Sequence, residues 1–503
     1  MRFRPALLAP AAASLALLLS AGTALAQPAP RPVQNAPTPA AAPRPAAAKP
    51  STAPVQAAPA VQAPIAKGRS LQEVLAAAYT SNAVLLAGRA GLRAFDEQVP
   101  QALAGWRPTV VLSTNAGYAP GNLVTKGRQT LNNRDLFGAS ATVTQPLYRG
   151  GRTRASTNKA ENTVMAERAK LIGAEQQVFT DTINAFVNAI QNKQLLELQD
   201  SNVIVLDRQL QATRERFRVG EITRTDVAQA EAAYAGAQAQ RQTAAGNYAN
   251  ARATFERLVG ISADNLVPPQ PLKLPVKTQV DAQQLAAANN PLVVQRLFEN
   301  AASKDAVDVA FSGLMPTVSL QGTAFRNDNT STLGLIQRGA QVQATLQVPI
   351  YQGGSEYSAI RQAKQQEQQT RAGVDDARRG SIESAARAWE TLTAVSATID
   401  STRAQIRANE IALDGVQREA LLGSRTTLDV LNAEQTLLNS RVTLVQNLGA
   451  LVTASYAVAS SIGRLTARDL ALPVNIYDET AYYNAVRNKL WGTGDAATDQ
   501  PGR

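Results

Sequence analysis

The side chains able to do chemistry here are carboxylates, lysines and tyrosines, because the 503-residue sequence has no His and no Cys. That removes the Ser-His-Asp triad, the Cys nucleophile, the CxxC redox pair and the usual zinc site. No GxxxxGK, GxSxG or HExxH motif occurs and no convincing carboxylate pair stands out. No catalytic residue, cofactor or metal is therefore expected, and the chain does not read as an enzyme. Two acids do recur in a pattern. Asp226 closes Thr223-Arg224-Thr225-Asp226, and Asp429 closes Thr426-Thr427-Leu428-Asp429. Threonine with an acid three residues on is a capping box that starts a helix. Gly220 and Gly423 stand three residues before the threonines, where a turn with positive φ is predicted.

These two motifs are 203 residues apart, and much else repeats at that spacing. Pro146-Leu147-Tyr148-Arg149-Gly150-Gly151 matches Pro349-Ile350-Tyr351-Gln352-Gly353-Gly354. Val227, Ala230, Glu231 and Gly260 match Val430, Ala433, Glu434 and Gly463. Upstream the offset is 208, with Asn82 on Asn290 and Pro108 on Pro316. The change falls between the Pro108 and Pro146 landmarks, where a loop must differ in length. The chain is two copies of one unit, at 67–275 and 276–467, followed by a C-terminal segment at 468–503.

Each copy must position its motif with the same elements. A helical stretch comes first, at 70–104 and 281–312. Two short segments of period-two alternation follow. The clearest are Val318, Leu320 and Ala324 between polar residues, and Ala340, Val342, Ala344, Leu346 and Val348 between Gln341, Gln343, Thr345 and Gln347. Segments 109–118 and 138–148 are weaker versions. Such segments suit membrane β-barrel strands, and the pattern equally fits a half-buried soluble strand. The two Gly-Gly pairs pass strand to helix and are not phosphate loops. Tyr118, Tyr148, Phe325 and Tyr351 are candidates for interfacial girdles or for ordinary packing.

No proline occurs from 147 to 267 or from 350 to 472, and both stretches are rich in helix formers. Each is predicted as a helix, a tight turn at the glycine, and a second helix. The arm at 152–218 would be about 100 Å long. In the last arm Val430, Leu437, Leu444, Leu451 and Val458 recur every seven residues, as do Leu431, Leu438, Val445, Val452 and Ala459. Adjacent heptad columns let one helix face two neighbours, in a ring or in an antiparallel bundle. Four strands cannot close a membrane barrel, since single-chain barrels start at about eight. Strands in a membrane therefore require oligomerisation: two chains would give eight strands and three would give twelve.

Residues 1–26 read as a signal peptide, with Arg2 and Arg4 ahead of an apolar stretch at 6–19 and Ala24-Leu25-Ala26 at the cleavage site. No later uninterrupted apolar run reaches the roughly 20 residues of a spanning helix. Residues 27–66 hold 11 of the 26 prolines and are expected to be a disordered or polyproline-II spacer. The formal charge of +11 owes most of its excess to residues 1–70, which carry seven basic and no acidic side chains. No basic cluster with aromatics exists, so nucleic-acid binding is not expected.

These motifs resemble those of the TolC family of outer-membrane efflux proteins, particularly members serving type I secretion. The resemblance lies in the two Pro-x-Tyr-x-Gly-Gly segments, in the runs from Arg216 to Val227 and from Leu422 to Leu431, and in the tail from Asp469 to Gly492. It covers about 70–492. It implies a mainly α fold with membrane β: long helical hairpins forming a trimeric α-barrel, and four strands per chain in a shared twelve-stranded outer-membrane barrel. It implies a passive duct in a tripartite export system of a Gram-negative bacterium, for secreted proteins, multidrug efflux or both. Partners would be two further copies, a periplasmic membrane-fusion adaptor, an ABC or proton-driven inner-membrane transporter and outer-membrane lipid. The tips at 219–226 and 422–432 would close the channel and receive the adaptor. Arg425 becomes a candidate partner for Thr225 and Asp226 of a neighbouring hairpin, and Asp429 matches a ring of acids at the constriction. The companion acid is replaced by Asn432 and the latch tyrosine by Ala420, which implies a less charged ring. The alternative, a periplasmic coiled-coil adaptor, would carry one hairpin inside a lipoyl-like domain; this chain has two hairpins and paired strands.

Overall fold

The computed structural model describes residues 68–494; the expected leader and the spacer at 27–66 lie outside the described residues. The first copy holds helices α1 (Leu71–Ser81), α2 (Ala83–Asp96) and α3 (Gln98–Leu103), then strands β1 (Thr109–Ala119), β2 (Asn122–Thr125), β3 (Arg128–Leu131) and β4 (Arg134–Arg149). Helices α4 (Arg152–Arg218) and α5 (Arg224–Val259) complete it. The second copy holds α6 (Gln279–Asn289), α7 (Pro291–Phe311), β5 (Thr317–Asp328), β6 (Ile336–Gln347), α8 (Ser355–Leu421) and α9 (Thr427–Ser461). A short α10 (Ala481–Val486) lies in the C-terminal segment.

The leading helical stretches are broken, where each was expected to be one element. Asn82 ends α1, and its side chain accepts a hydrogen bond from the Val84 amide to start α2. Asn290 does the same for α7 through the Leu292 amide, with Pro291 in the first turn. The loop inferred from the change of offset is also explained. Residues 120–133 carry the small β2–β3 hairpin, which the sequence reading did not anticipate, whereas β5 and β6 are joined by 329–335 alone. Strand β6 starts four residues before the expected Ala340 and stops at Gln347, leaving Val348 outside it.

The main sheet is antiparallel, in the order β1-β4-β5-β6. Directly paired residues share a face, so the register sorts the side chains. Val110, Leu112, Ala116 and Tyr118 of β1 align with Val143, Ala141, Phe137 and Asp135 of β4. The same face continues through Leu320, Gly322 and Ala324 to Ala344, Val342 and Ala340. The other face carries Ser113, Asn115, Thr142, Ser140, Gln321, Thr323, Gln341 and Gln343, with Thr142 and Thr323 hydrogen-bonded at 3.4 Å. Phe325 belongs to this polar face, opposite Gly339, so it is no girdle residue. Parity along the strand puts it there, and its ring covers the glycine.

The helices keep the lateral order of the strands they continue. The upper half of α4 lies between α2 and α7, and its lower half lies between α5 and α9. Asn162 reaches Asp305 of α7, Asp200 takes Arg241 of α5, and Gln191 donates to the Gln446 carbonyl of α9. Helix α8 follows, against α7 above and α9 below, through Asn300–Thr370 and Asn409–Ser440. Helix α9 has neighbours on two sides, and both of its heptad columns are buried or half-buried. By length and mean composition α9 alone among the described helices could cross a membrane, although polar residues interrupt its apolar run. Its apolar residues are spent on α4 and α8 instead. The largest core joins α1 to the middle of α4 and to the ends of α5 and α9, around Phe179, Phe186 and Phe255.

Candidate functional site: hairpin tips and open edges

Both hairpins turn with one backbone device. After α4, the Glu221 amide donates to the Arg216 carbonyl at 2.9 Å and the Gly220 amide to the Phe217 carbonyl at 2.9 Å. After α8, the Ser424 amide donates to the Glu419 carbonyl at 3.0 Å and the Gly423 amide to the Ala420 carbonyl at 3.2 Å. These are paired Schellman bonds, which need a left-handed residue. Gly220 and Gly423 supply it, each with φ of 79°.

The capping boxes form as the spacing predicts. The Thr223 amide and hydroxyl donate to one Asp226 oxygen at 3.0 and 2.7 Å, and those of Thr426 to Asp429 at 2.9 and 2.8 Å. The Thr223 hydroxyl, foremost, holds the Asp226 carboxyl below the usual carboxylate range, and the Thr426 amide does so for Asp429. Both acids are committed to their own helix starts. Thr225 and Asn432 are exposed beside them. Arg425 is engaged within its own hairpin, where its Nε donates to Glu419 at 2.8 Å. In the other tip Arg216 pairs with Glu221 at 2.7 Å, and Arg218 with Glu215.

The sequence reading missed Glu419, although the repeat pointed to it as the position equivalent to Arg216. It also missed the exposed apolar residues of the tips. Val219 is 74% exposed, Leu421 79% and Leu422 86%, and Leu428 is exposed as well. Their signal was apolar residues beside a glycine turn, where a capped hairpin end has no core to bury them in.

The strand-to-helix motif is built from three parts. Gly150 and Gly151 take positive φ, as do Gly353 and Gly354. A Cβ at Gly150 would collide with the Met315 side chain and the Ser312 carbonyl, so only glycine passes there. Pro146 precedes a register shift between Pro146 and Tyr148, which moves Tyr148 onto the apolar face opposite Val318. Pro349 and Tyr351 follow the end of β6, and Tyr351 is exposed.

The sheet has two unpaired edges. Strand β6 is exposed along its whole length, and all of β1 is exposed except Ala119. Among the described residues β1 pairs only with β4 and β6 only with β5. The helical array ends at the same two sides, with α2 and α5 at one and α8 at the other.

A buried polar cluster lies where α2 ends. Asp96 is fully buried, and neither carboxylate oxygen finds a hydrogen-bond partner. Desolvation pushes its carboxyl up to about 7, with Arg168 of α4 pulling the other way. The Arg168 guanidinium also lies 5.3 Å from the centre of the Tyr483 ring.

Comparison with known proteins places this geometry. The family model described as "Outer membrane efflux protein" matches the chain twice, at residues 74–261 and 282–464. The chain is 33% identical to the outer membrane efflux protein BepC of Brucella suis biovar 1, over 85% of this chain and 92% of that one. It is 24% identical to the outer membrane protein TolC of Escherichia coli, over 84% and 90%. The structure superposes on the outer membrane protein VceC of Vibrio cholerae with a TM-score of 0.68 at 18% identity, covering 78% of this chain and 96% of that one.

Proposed function

We propose, from the premise that the chain belongs to the outer membrane efflux protein family, that three copies close into one channel through the open edges described above. The protein is an outer-membrane duct of a tripartite export system in a Gram-negative bacterium. The observation that carries the trimer is the coincidence of edges: β1 and β6 are both unpaired, and the helices end at the same two sides. An unpaired strand edge cannot persist in hydrocarbon. Pairing β1 of one copy with β6 of the next makes a head-to-tail ring. Three copies give twelve strands, with Val110, Leu112, Val342 and Leu346 toward lipid and Gln321, Gln341 and Gln343 toward the lumen.

The mechanism involves no covalent chemistry. Helices α4 and α8 prolong the lumen as a periplasmic tunnel, about 100 Å long at 1.5 Å per residue. An adaptor would receive the tips on exposed Val219, Leu421, Leu422 and Leu428. An inner-membrane ABC or proton-driven transporter would supply the work of moving secreted proteins or drugs. At the tips, Gly220, Thr223, Asp226, Gly423, Thr426 and Asp429 fix the turns. In the ring, Arg425 would exchange Glu419 for Thr225 and Asp226 of the adjacent hairpin in the closed state, with Asn432 leaving the constriction less charged.

Single-channel recording of the detergent-extracted oligomer in a planar lipid bilayer tests this reading. Discrete, long-lived conductance steps from a particle of three chains are expected. Folded, oligomeric protein that never inserts would overturn it.

A further inference from the structure

The C-terminal segment ends, within the described residues, on an apolar loop that the export mechanism does not use. Its path to that place is well anchored. Tyr482 donates to Glu97 at 2.8 Å, and Arg487 pairs with Glu161 of α4 at 3.0 Å. The Arg107 guanidinium then donates to the Lys489 carbonyl at 3.0 Å. Arg107 stands two residues before β1, and the Trp106 carbonyl accepts from Gln145 of β4 at 2.9 Å. The segment is thereby held at the level where helices become strands. There the chain folds back on itself: Lys489 Nζ donates to the Gly494 carbonyl at 2.7 Å, and Gly492 takes φ of 100°. The loop presents Leu490, 72% exposed, and Trp491, 88% exposed.

Two apolar side chains on a tethered loop need a partner of matching chemistry. The sheet's apolar face runs down to Val110, Tyr148 and Leu346 at this same end and is exposed there. Trp106 is exposed beside it. Arg107, Arg149 and Lys489 supply cations, while Glu97 is occupied by Tyr482. Tryptophan next to basic side chains at the rim of an apolar band is the composition of a membrane–water boundary.

We propose that the loop at 489–494 is an interfacial anchor that seats Leu490 and Trp491 in the periplasmic leaflet of the outer membrane. Arg107, Arg149 and Lys489 face the phospholipid phosphates around it. The anchor rests on the outer-membrane placement, and it fixes the depth and rotation of the channel from outside the barrel.

The test uses Trp491 as a probe in the full chain. Trp106→Phe and Trp389→Phe leave it as the only tryptophan of three. The protein is reconstituted in phosphatidylethanolamine–phosphatidylglycerol vesicles with and without brominated acyl chains, and the same preparation is checked for conductance. The expected result is blue-shifted emission and loss of most of it in brominated lipid. Water-like emission that bromine leaves unchanged would overturn the anchor. So would blue-shifted emission that bromine leaves unchanged, which would put the loop on a neighbouring copy. Failure to insert would instead count against the channel. Because the chain has no Cys, Trp491→Cys carrying an environment-sensitive dye gives a second reading without the other two substitutions.

Discussion

Helices α4 and α8 occupy equivalent places in the repeat, and each is 67 residues long. Yet 21 residues of α4 are buried against nine of α8, and the difference follows from position in the array. Helix α4 has a neighbour on both sides along its length, whereas one side of α8 is bare. The duplicated arginines make the point at one position. Arg168 is buried beside Asp96, while its counterpart Arg371 is exposed. A repeat therefore transmits backbone and length, and neighbours decide burial. The exposure of α8 is what a cyclic assembly would cover.

The largest effect should come from testing that asymmetry in the cores. Phe186 of α4 is fully buried, and the equivalent residue of α8, Trp389, is only partly so. Phe186→Ala should destabilise the protein by about 3–5 kcal/mol, read as a lower melting temperature by circular dichroism. Trp389→Ala should cost clearly less. Equal losses would mean that the single-chain burial pattern misrepresents the assembled protein.

A middle-sized effect is expected at the buried carboxyl beside Arg168. The Asp96 carboxyl lies at about 7 in the folded chain, against an ordinary 3.8. Between those values the folded state holds a proton that the unfolded state has released. Stability from this group is therefore full at low pH and is lost as pH rises toward 7, on the order of 1 kcal/mol per pH unit. Asp96→Asn should flatten that slope in melting curves from pH 4 to 7, and the same change in solvent-facing Asp376 of α8 should not. An unaltered slope in Asp96→Asn would show that Arg168 keeps the carboxyl ionised.

Much of this was legible in the sequence because it rests on local rules. The Gly220 and Gly423 turns, the two capping boxes and the 152–218 arm follow from backbone preference and from the distribution of proline. The apolar face of β5 and β6 follows from alternation. What escaped depended on partners distant in the chain. The β2–β3 hairpin has no strong alternation, and only a shift in the repeat betrayed the insertion. Alternation alone leaves Phe325 open between a girdle and ordinary packing, and only its pairing with Gly339 fixes its face. Asp96 meets Arg168 at a separation of 72 positions in sequence, a distance over which no spacing rule operates.

The smallest change in stability, and the sharpest test of the comparison, belongs to the tips. Both close with the same Schellman bonds and capping boxes, yet their ion pairs have opposite polarity. In the first the cation, Arg216, is on the long helix and the anion, Glu221, on the turn. In the second Glu419 is on the helix and Arg425 on the turn. Alternating tips around a ring would then set Glu221 of one beside Arg425 of the next, opposite charges facing each other. Exchanging Glu419→Arg with Arg425→Glu preserves the local pair and should leave the melting temperature nearly unchanged, since exposed pairs contribute little. It would set like charges beside one another on neighbouring turns. Resting conductance and antibiotic sensitivity should both rise, and Arg425→Ala should raise them less. If the exchanged channel stays as tight as the original, the pairs only close their own hairpins, and the polarity difference between the tips has no effect on leakage.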